Sequence, residues 1–149
     1  MDLEEIEAIT QVKYAYLRLL DLKRFEELGQ LLTVGCTASY MDAKVPLEGR
    51  AAIVRFLTES LADPGIVTAH LVHHPEIVVS GDRAEGAWYL EDRVVVPATD
   101  FEIVGTAFYR DEYVKAGGRW LISHTGYERV MEEHRVHSTM ALRTFRSRF

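Results

Sequence analysis

The sequence predicts an α+β fold, and three observations carry that prediction. Apolar residues recur at three- and four-residue steps through the first third of the chain. Past Asp63-Pro64-Gly65 the pattern changes to β-branched residues in alternation. The alternating runs are long and are separated by the tight-turn signals "GD" and "GG". Helices first and antiparallel strands after is the α+β order, here a curved, mostly antiparallel sheet wrapped around N-terminal helices.

Residues 2–20 are predicted as a helix, with Ile6, Ile9, Lys13, Tyr16, Leu17 and Leu20 on one stripe. Asp2, Glu4 and Glu5 suit its N-terminal dipole. After Asp21, "LKRFEELGQLL" reads as a second short helix with Phe25, Leu28, Leu31 and Leu32 as its apolar stripe. "TASYMDA" is predicted as a short strand. "PLEGRAAIVRFLTESLAD" reads as a third helix after Gly49 that stops at Asp63-Pro64-Gly65. Four strands follow: "IVTAHLVHHPEIVVS", "RAEGAWYLEDRVVVP", "FEIVGTAFYRDEYVKA" and "RWLISHTGYERV". The tail "MEEHRVHSTMALRTF" fits a final helix or an extended arm.

The length of 149 residues fits one domain spanning 1–149 and a single core. With 48% hydrophobic and 27% charged residues the composition is that of a globule, not a disordered chain. The net charge of -6 argues against a nucleic-acid partner, because phosphates are met by clustered Lys and Arg. The single cysteine, Cys36, rules out an internal disulfide and a thiolate zinc framework and points to a reducing compartment. The acidic start "MDLEEIEAIT" is not a targeting peptide, and no run approaches the ~18 apolar residues of a membrane span. A cytoplasmic protein without membrane contact is expected.

Within this frame some polar residues stand where apolar ones belong. In "GAWYLEDRVVV", Gly86, Trp88, Leu90, Val94 and Val96 share one strand face, and the sixth member of that face is Asp92. An unpaired buried carboxylate is costly, so Asp92 is either half of a structural ion pair or projects into a ligand pocket. His70 shares a face with Ile66, Thr68, Val72 and His74, while His73 points the other way unless a bulge intervenes. His70 reads as a core or surface histidine or as a general base. A metal site is not expected, because the HxxHH string does not put three imidazoles on one face. Asp21 either caps the helix that begins at Leu22 or orients the His70 ring. Tyr16 lies on the first helix's apolar stripe, where a core role and a hydrogen-bonding role are both open. Arg129 alternates with Leu121, Ser123, Thr125 and Tyr127, and if buried it needs Asp21 or Asp92 nearby.

Tyr16 and Asp21 in "YLRLLDLKRFEEL", His70 in "TAHLVHHPEI", Asp92 in "WYLED" and Arg129 in "GYERV" occur in that order. Taken together they resemble the SnoaL-like branch of the nuclear-transport-factor-2-like superfamily. Within it the chain most resembles the bile-acid 7α-dehydratases, and more distantly scytalone dehydratase and the lindane dehydrochlorinase. The likeness runs from "YLRLLDLKRFEELGQLL" through "VVSGDRAEGAWYLED" to "GGRWLISHTGYERV" and leaves out the C-terminal "EEHRVHSTMALRTF". It implies a cone-shaped barrel, a homotrimer or homodimer, and an active site of Tyr16, Asp21, His70, Asp92 and Arg129. His70 is preferred to His73 because its distance from Asp21 suits the family. A lysine stands in the dehydrochlorinase where Tyr16 stands, so tyrosine implies dehydration rather than halide elimination. The implied function is a lyase that needs no cofactor or metal and acts on a hydrophobic, polycyclic or aromatic small molecule. The alternatives are an isomerase or polyketide cyclase, or a non-catalytic small-ligand-binding or assembly domain on the same fold.

Overall fold

The computed structural model describes residues 2–136 and Ser138. Helix α1 runs Leu3–Asp21. The Asp2 carboxylate caps it by accepting the Glu5 N–H, and Glu4 and Glu5 occupy the positive first turn. Its apolar stripe buries Ile9, Tyr16, Leu17 and Leu20. The helix ends in a Schellman motif. Lys23 takes the left-handed conformation at φ 58°. The N–H of Arg24 bonds Leu19 O and that of Lys23 bonds Leu20 O.

That reversal shortens the second helix. It was expected from Leu22 to Leu32, but α2 spans only Phe25–Gly29, and Leu32 opens strand β1 (Leu32–Tyr40). A turn with Met41, Asp42 and Ala43 all at positive φ leads into β2 (Val45–Glu48), so the strand expected over residues 37–43 stops at Tyr40. Strand β2 had no counterpart in the expected order, because its four residues are too few to show a period. Helix α3 (Arg50–Leu61) follows Gly49, whose φ of 90° suits glycine.

Strands β3 (Val67–Ser80), β4 (Arg83–Val96), β5 (Phe101–Ala116) and β6 (Arg119–Val136) complete the sheet. A 3-10 turn over Pro97–Thr99 joins β4 to β5. The first six residues of "MEEHRVHSTMALRTF" extend β6; of the rest, only Ser138 is among the described residues, so the expected final helix or arm lies outside them. The sheet order is β2-β1-β6-β5-β4-β3. Neighbours are antiparallel except β1 and β6, which run parallel. The sheet is curved but not closed, so the expected barrel is an open one with β2 and β3 as its edges.

One face of the sheet packs on the helices. From β4 it contributes Ala84, Trp88 and Leu90, from β5 Ala107, Tyr109 and Tyr113, and from β6 Trp120 and Ile122. Burying each large side chain contributes roughly 1.5–3 kcal/mol. The alternation expected of β4 holds from Ala84 to Asp92 and then shifts, so that Val95 is buried rather than Val94 and Val96. Strand β3 carries a bulge between His73 and Glu76, with His74 at φ 49° and Pro75 inside it.

Candidate active site

The Schellman turn leaves Asp21 as the last residue of α1, directed at edge strand β3. An edge strand has N–H groups that no neighbouring strand takes. Asp21 uses one of them: its Oδ2 accepts the His70 N–H at 2.9 Å. Its Oδ1 lies 2.6 Å from His70 Nδ1 and also accepts the Thr68 hydroxyl at 2.8 Å. An ionised carboxylate only accepts, so Nδ1 is the nitrogen that carries a proton toward Asp21, and in the neutral ring Nε2 holds the lone pair. No hydrogen bond engages Nε2 among the described residues. Asp21 does not cap α2, whose N-cap position is Arg24 and carries no side-chain capping bond. The bulge in β3 begins after His73, so His73 keeps the opposite face and pairs with Glu91 at 2.8 Å.

Asp92 sits directly across from His70 in the β3–β4 register. Opposed residues of a ladder project to the same face with Cβ atoms about 5 Å apart. Asp92 is buried and is held by Arg129 through two bonds, Nη1 to Oδ1 and Nη2 to Oδ2, the second at 2.9 Å. The next residue along this row, on β5, is Gly105. A Cβ there would lie 2.5 Å from Arg129 Nη1, so glycine leaves the space through which the guanidinium crosses β5. Arg129 Nε also meets Glu132 at 3.0 Å, its N–H bonds Asp42 Oδ1 at 2.6 Å, and its guanidinium stands 5.0 Å from the Tyr127 ring. Burial disfavours the arginine's charge, but the Asp92 bonds outweigh that and hold its pKa above the ordinary value. The partner of Arg129 is therefore Asp92 and not Asp21.

Tyr16 is fully buried, and its hydroxyl is 2.6 Å from that of Tyr40. Burial, followed by the neighbouring Tyr40 and Tyr109, raises its pKa well above the ordinary range and keeps it a neutral phenol. Tyr40 and Tyr109 each lie about 6 Å from Tyr127, giving an aromatic layer that reaches toward Arg129. Behind it lies a second ion pair, Lys13 Nζ to Asp111 Oδ2 at 2.7 Å, with both side chains at 0% exposure. Asp111 also accepts from Tyr113 at 2.9 Å and Thr125 at 2.7 Å. The ammonium is close to Asp111 but poorly aligned for a hydrogen bond, and it stands 3.2 Å from the Tyr109 ring centroid. Burial lowers the Lys13 pKa against the opposing pull of Asp111. Sequence reasoning missed Asp111, although the signal was that of Asp92: Gly105, Ala107, Tyr109, Asp111 and Tyr113 are alternate residues of one strand. Lys13 was visible as a charge on the α1 stripe.

The structure thus brings Asp21 to His70 and Asp92 to Arg129, sets His70 beside Asp92, and ties Tyr16 to Tyr40. Among the described residues no group of three or more His, Cys, Asp or Glu side chains is placed to hold a metal ion, and no helix is long and apolar enough to cross a membrane.

An open, curved sheet packed on N-terminal helices places the chain among the small α+β domains. The model of the SnoaL-like domain matches residues 1–126, and the chain belongs to that family. Solved structures show the same fold. A provisionally named scytalone dehydratase from Novosphingobium aromaticivorans is 24% identical with a TM-score of 0.81, over 89% of this chain and 88% of that one. A type 2 hexachlorocyclohexane dehydrochlorinase is 17% identical with a TM-score of 0.78, over 89% and 90%. The type 3 enzyme of that name from Novosphingobium barchaimii is 15% identical with a TM-score of 0.79, over 89% and 91%.

Proposed function

We propose that the chain is a cofactor-independent lyase of the dehydratase type. Its substrate is a hydrophobic, polycyclic or aromatic small molecule, bound between the sheet and the helices. The observation that carries this reading is the 2.6 Å contact between Asp21 Oδ1 and His70 Nδ1, which leaves Nε2 without a partner on the face that holds Asp92. A general base with an orienting carboxylate is the minimum apparatus for taking a proton from carbon. His70 Nε2 takes the proton from the carbon next to the hydroxyl-bearing one. The C–H electron pair becomes the new C=C bond, and the C–O bond breaks. The imidazolium, stabilised by Asp21, returns its proton to the leaving oxygen, which departs as water. Asp92 keeps unused lone pairs on both oxygens and accepts a second polar group of the substrate. Arg129 holds Asp92 in position, and Tyr16 donates to a substrate carbonyl or to the departing hydroxyl.

The solved relatives carry names of two eliminations, dehydration and dehydrochlorination, which supports the lyase class. The sequence resemblance to bile-acid 7α-dehydratases supports the polycyclic substrate. The same resemblance supports a homotrimer or homodimer, and the single cysteine supports a reducing, cytoplasmic setting. A domain that only binds its ligand is favoured by one observation, the engagement of the Tyr16 hydroxyl with Tyr40.

The test begins with a thermal-shift screen of steroid, polyketide and phenolic ligands, followed by turnover assays on those that bind. His70→Ala and Asp21→Asn are each expected to lower kcat by about 10²–10⁴-fold with the fold intact. The double variant is expected to lose no more than the worse single one, because the two residues act as a unit. Multiplicative losses, or full activity in His70→Ala, would refute the pair as catalyst.

A further inference from the structure

We infer that Thr68 is the positioning residue of the Asp21–His70 pair: its hydroxyl fixes the carboxylate so that one oxygen faces the imidazole. The inference rests on the proposed role of that pair and adds a residue to it.

Asp21 occupies an awkward place for a carboxylate. It is the last residue of a 19-residue helix, where the unsatisfied carbonyls concentrate negative charge. The carboxylate is tolerated there because three donors converge on it, and all three come from Thr68 and His70, which flank Ala69 on β3. Alternation along a strand explains the geometry: residues two apart project to one face, so Thr68 and His70 both face α1. The His70 backbone N–H holds Oδ2. The Thr68 hydroxyl and the ring Nδ1 share Oδ1, at 2.8 and 2.6 Å.

Each donor restricts a different motion. With the backbone N–H alone, the carboxylate can still rotate about its Cβ–Cγ bond. The threonine adds a second fixed point on the other oxygen, and β-branching keeps its χ1 in few rotamers. The carboxylate plane is then set before the ring bonds to it. The ring, which is 10% exposed, is thereby held with Nδ1–H toward Asp21, on the residue that pairs with Asp92 across the strands. A valine in place of Thr68 keeps the shape and removes the donor. A serine keeps the donor.

The test needs no substrate. Proton–nitrogen NMR of the intact chain, with ¹⁵N-labelled histidine, reads the His70 Nδ1–H directly, and Asp21→Asn assigns it. Wild type is expected to show this proton slowed in its exchange with water. Thr68→Val is expected to exchange it about tenfold faster, the equivalent of losing one hydrogen bond to a charged group. Thr68→Ser should restore the wild-type rate, with the backbone spectrum native in both variants. An unchanged exchange rate in Thr68→Val would overturn the positioning role while leaving the pair, and the function built on it, untouched. A wild type without a protected Nδ1–H would overturn both. Equal loss in the valine and serine variants would make Thr68 a packing residue and overturn the inference alone.

Discussion

Two carboxylates stand on the same face of adjacent strands, Asp92 on β4 and Asp111 on β5, and their surroundings differ in kind. Asp92 is clamped by a guanidinium that remains 14% exposed and also meets Glu132. Its cross-strand neighbour is His70, which has a nitrogen without a partner. Asp111 is sealed. Its cation is wholly buried, and its other contacts are neutral hydroxyls of Tyr113 and Thr125, with Trp88 donating to Tyr113 in turn. Strand alternation produces both carboxylates, yet it does not say which one reaches a site. What separates them is the cation's route to water. Arg129 comes from β6 near the turn between β1 and β2, whereas Lys13 comes from the middle of α1. A buried pair that water cannot reach serves stability, and under the proposed function the pair nearer the surface is the one that meets the ligand.

The largest effect is expected at the sealed pair. Asp111→Ala leaves an ammonium buried without its counter-charge and orphans two hydroxyls, so it is expected to lower stability by about 3–5 kcal/mol in chemical denaturation. A change below 1 kcal/mol would mean that water reaches Lys13, and the contrast between the two regions would collapse.

Next in size is the response to alkali. Tyr16, Tyr109 and Tyr113 have pKa values well above their ordinary 10.0, in each case chiefly through burial. Above pH 10 the unfolded chain therefore releases protons that the folded chain keeps, and stability falls as pH rises. Each tyrosine contributes about 1.4 kcal/mol at pH 11. Lys13, with its lowered pKa, works in the opposite sense below 10.5 and offsets part of that loss. Denaturation midpoints at pH 9, 10 and 11 check the sign. Flat midpoints would show that the aromatic layer is wetter than its burial implies.

Asp92→Asn is expected to cost less, about 2 kcal/mol, because Glu132 and solvent remain for Arg129. Turnover or ligand affinity is expected to fall together with it. Loss of stability without loss of function would make Asp92 the structural twin of Asp111. The smallest effect belongs to His73→Ala. Its pair with Glu91 lies on the exposed face, so stability is expected to stay within about 0.5 kcal/mol and turnover at the wild-type level.

Much of this molecule was legible along the chain. The α1 stripe, the third helix and the four long strands follow from spacing, because a residue's face depends on its neighbours three, four or two positions away. Asp92 was legible as an anomaly for the same reason, and so was Asp111, had the rule been applied to β5. What spacing did not reveal was local geometry with no period. The Schellman turn at Lys23 cut the second helix short, and the left-handed turn at Met41–Ala43 opened a hairpin. The shift at Val94 and the bulge near His74 changed faces within single strands.

The sequence by itself determined which residues are anomalous. Tyr16 and Asp92 are polar side chains on predicted apolar faces, Asp21 ends the first helix, and His70 and Arg129 stand on mixed strand faces, and those placements depend only on local periodicity. Tertiary structure alone decided how they pair. Asp21 had a cap and a histidine within its reach, Arg129 had two carboxylates, and Tyr16 had no marked partner until Tyr40 arrived from β1. Those choices are made across separations of 24 to 49 residues. The sheet register and the glycine at position 105 set such distances, and neither is a property of any short stretch of chain.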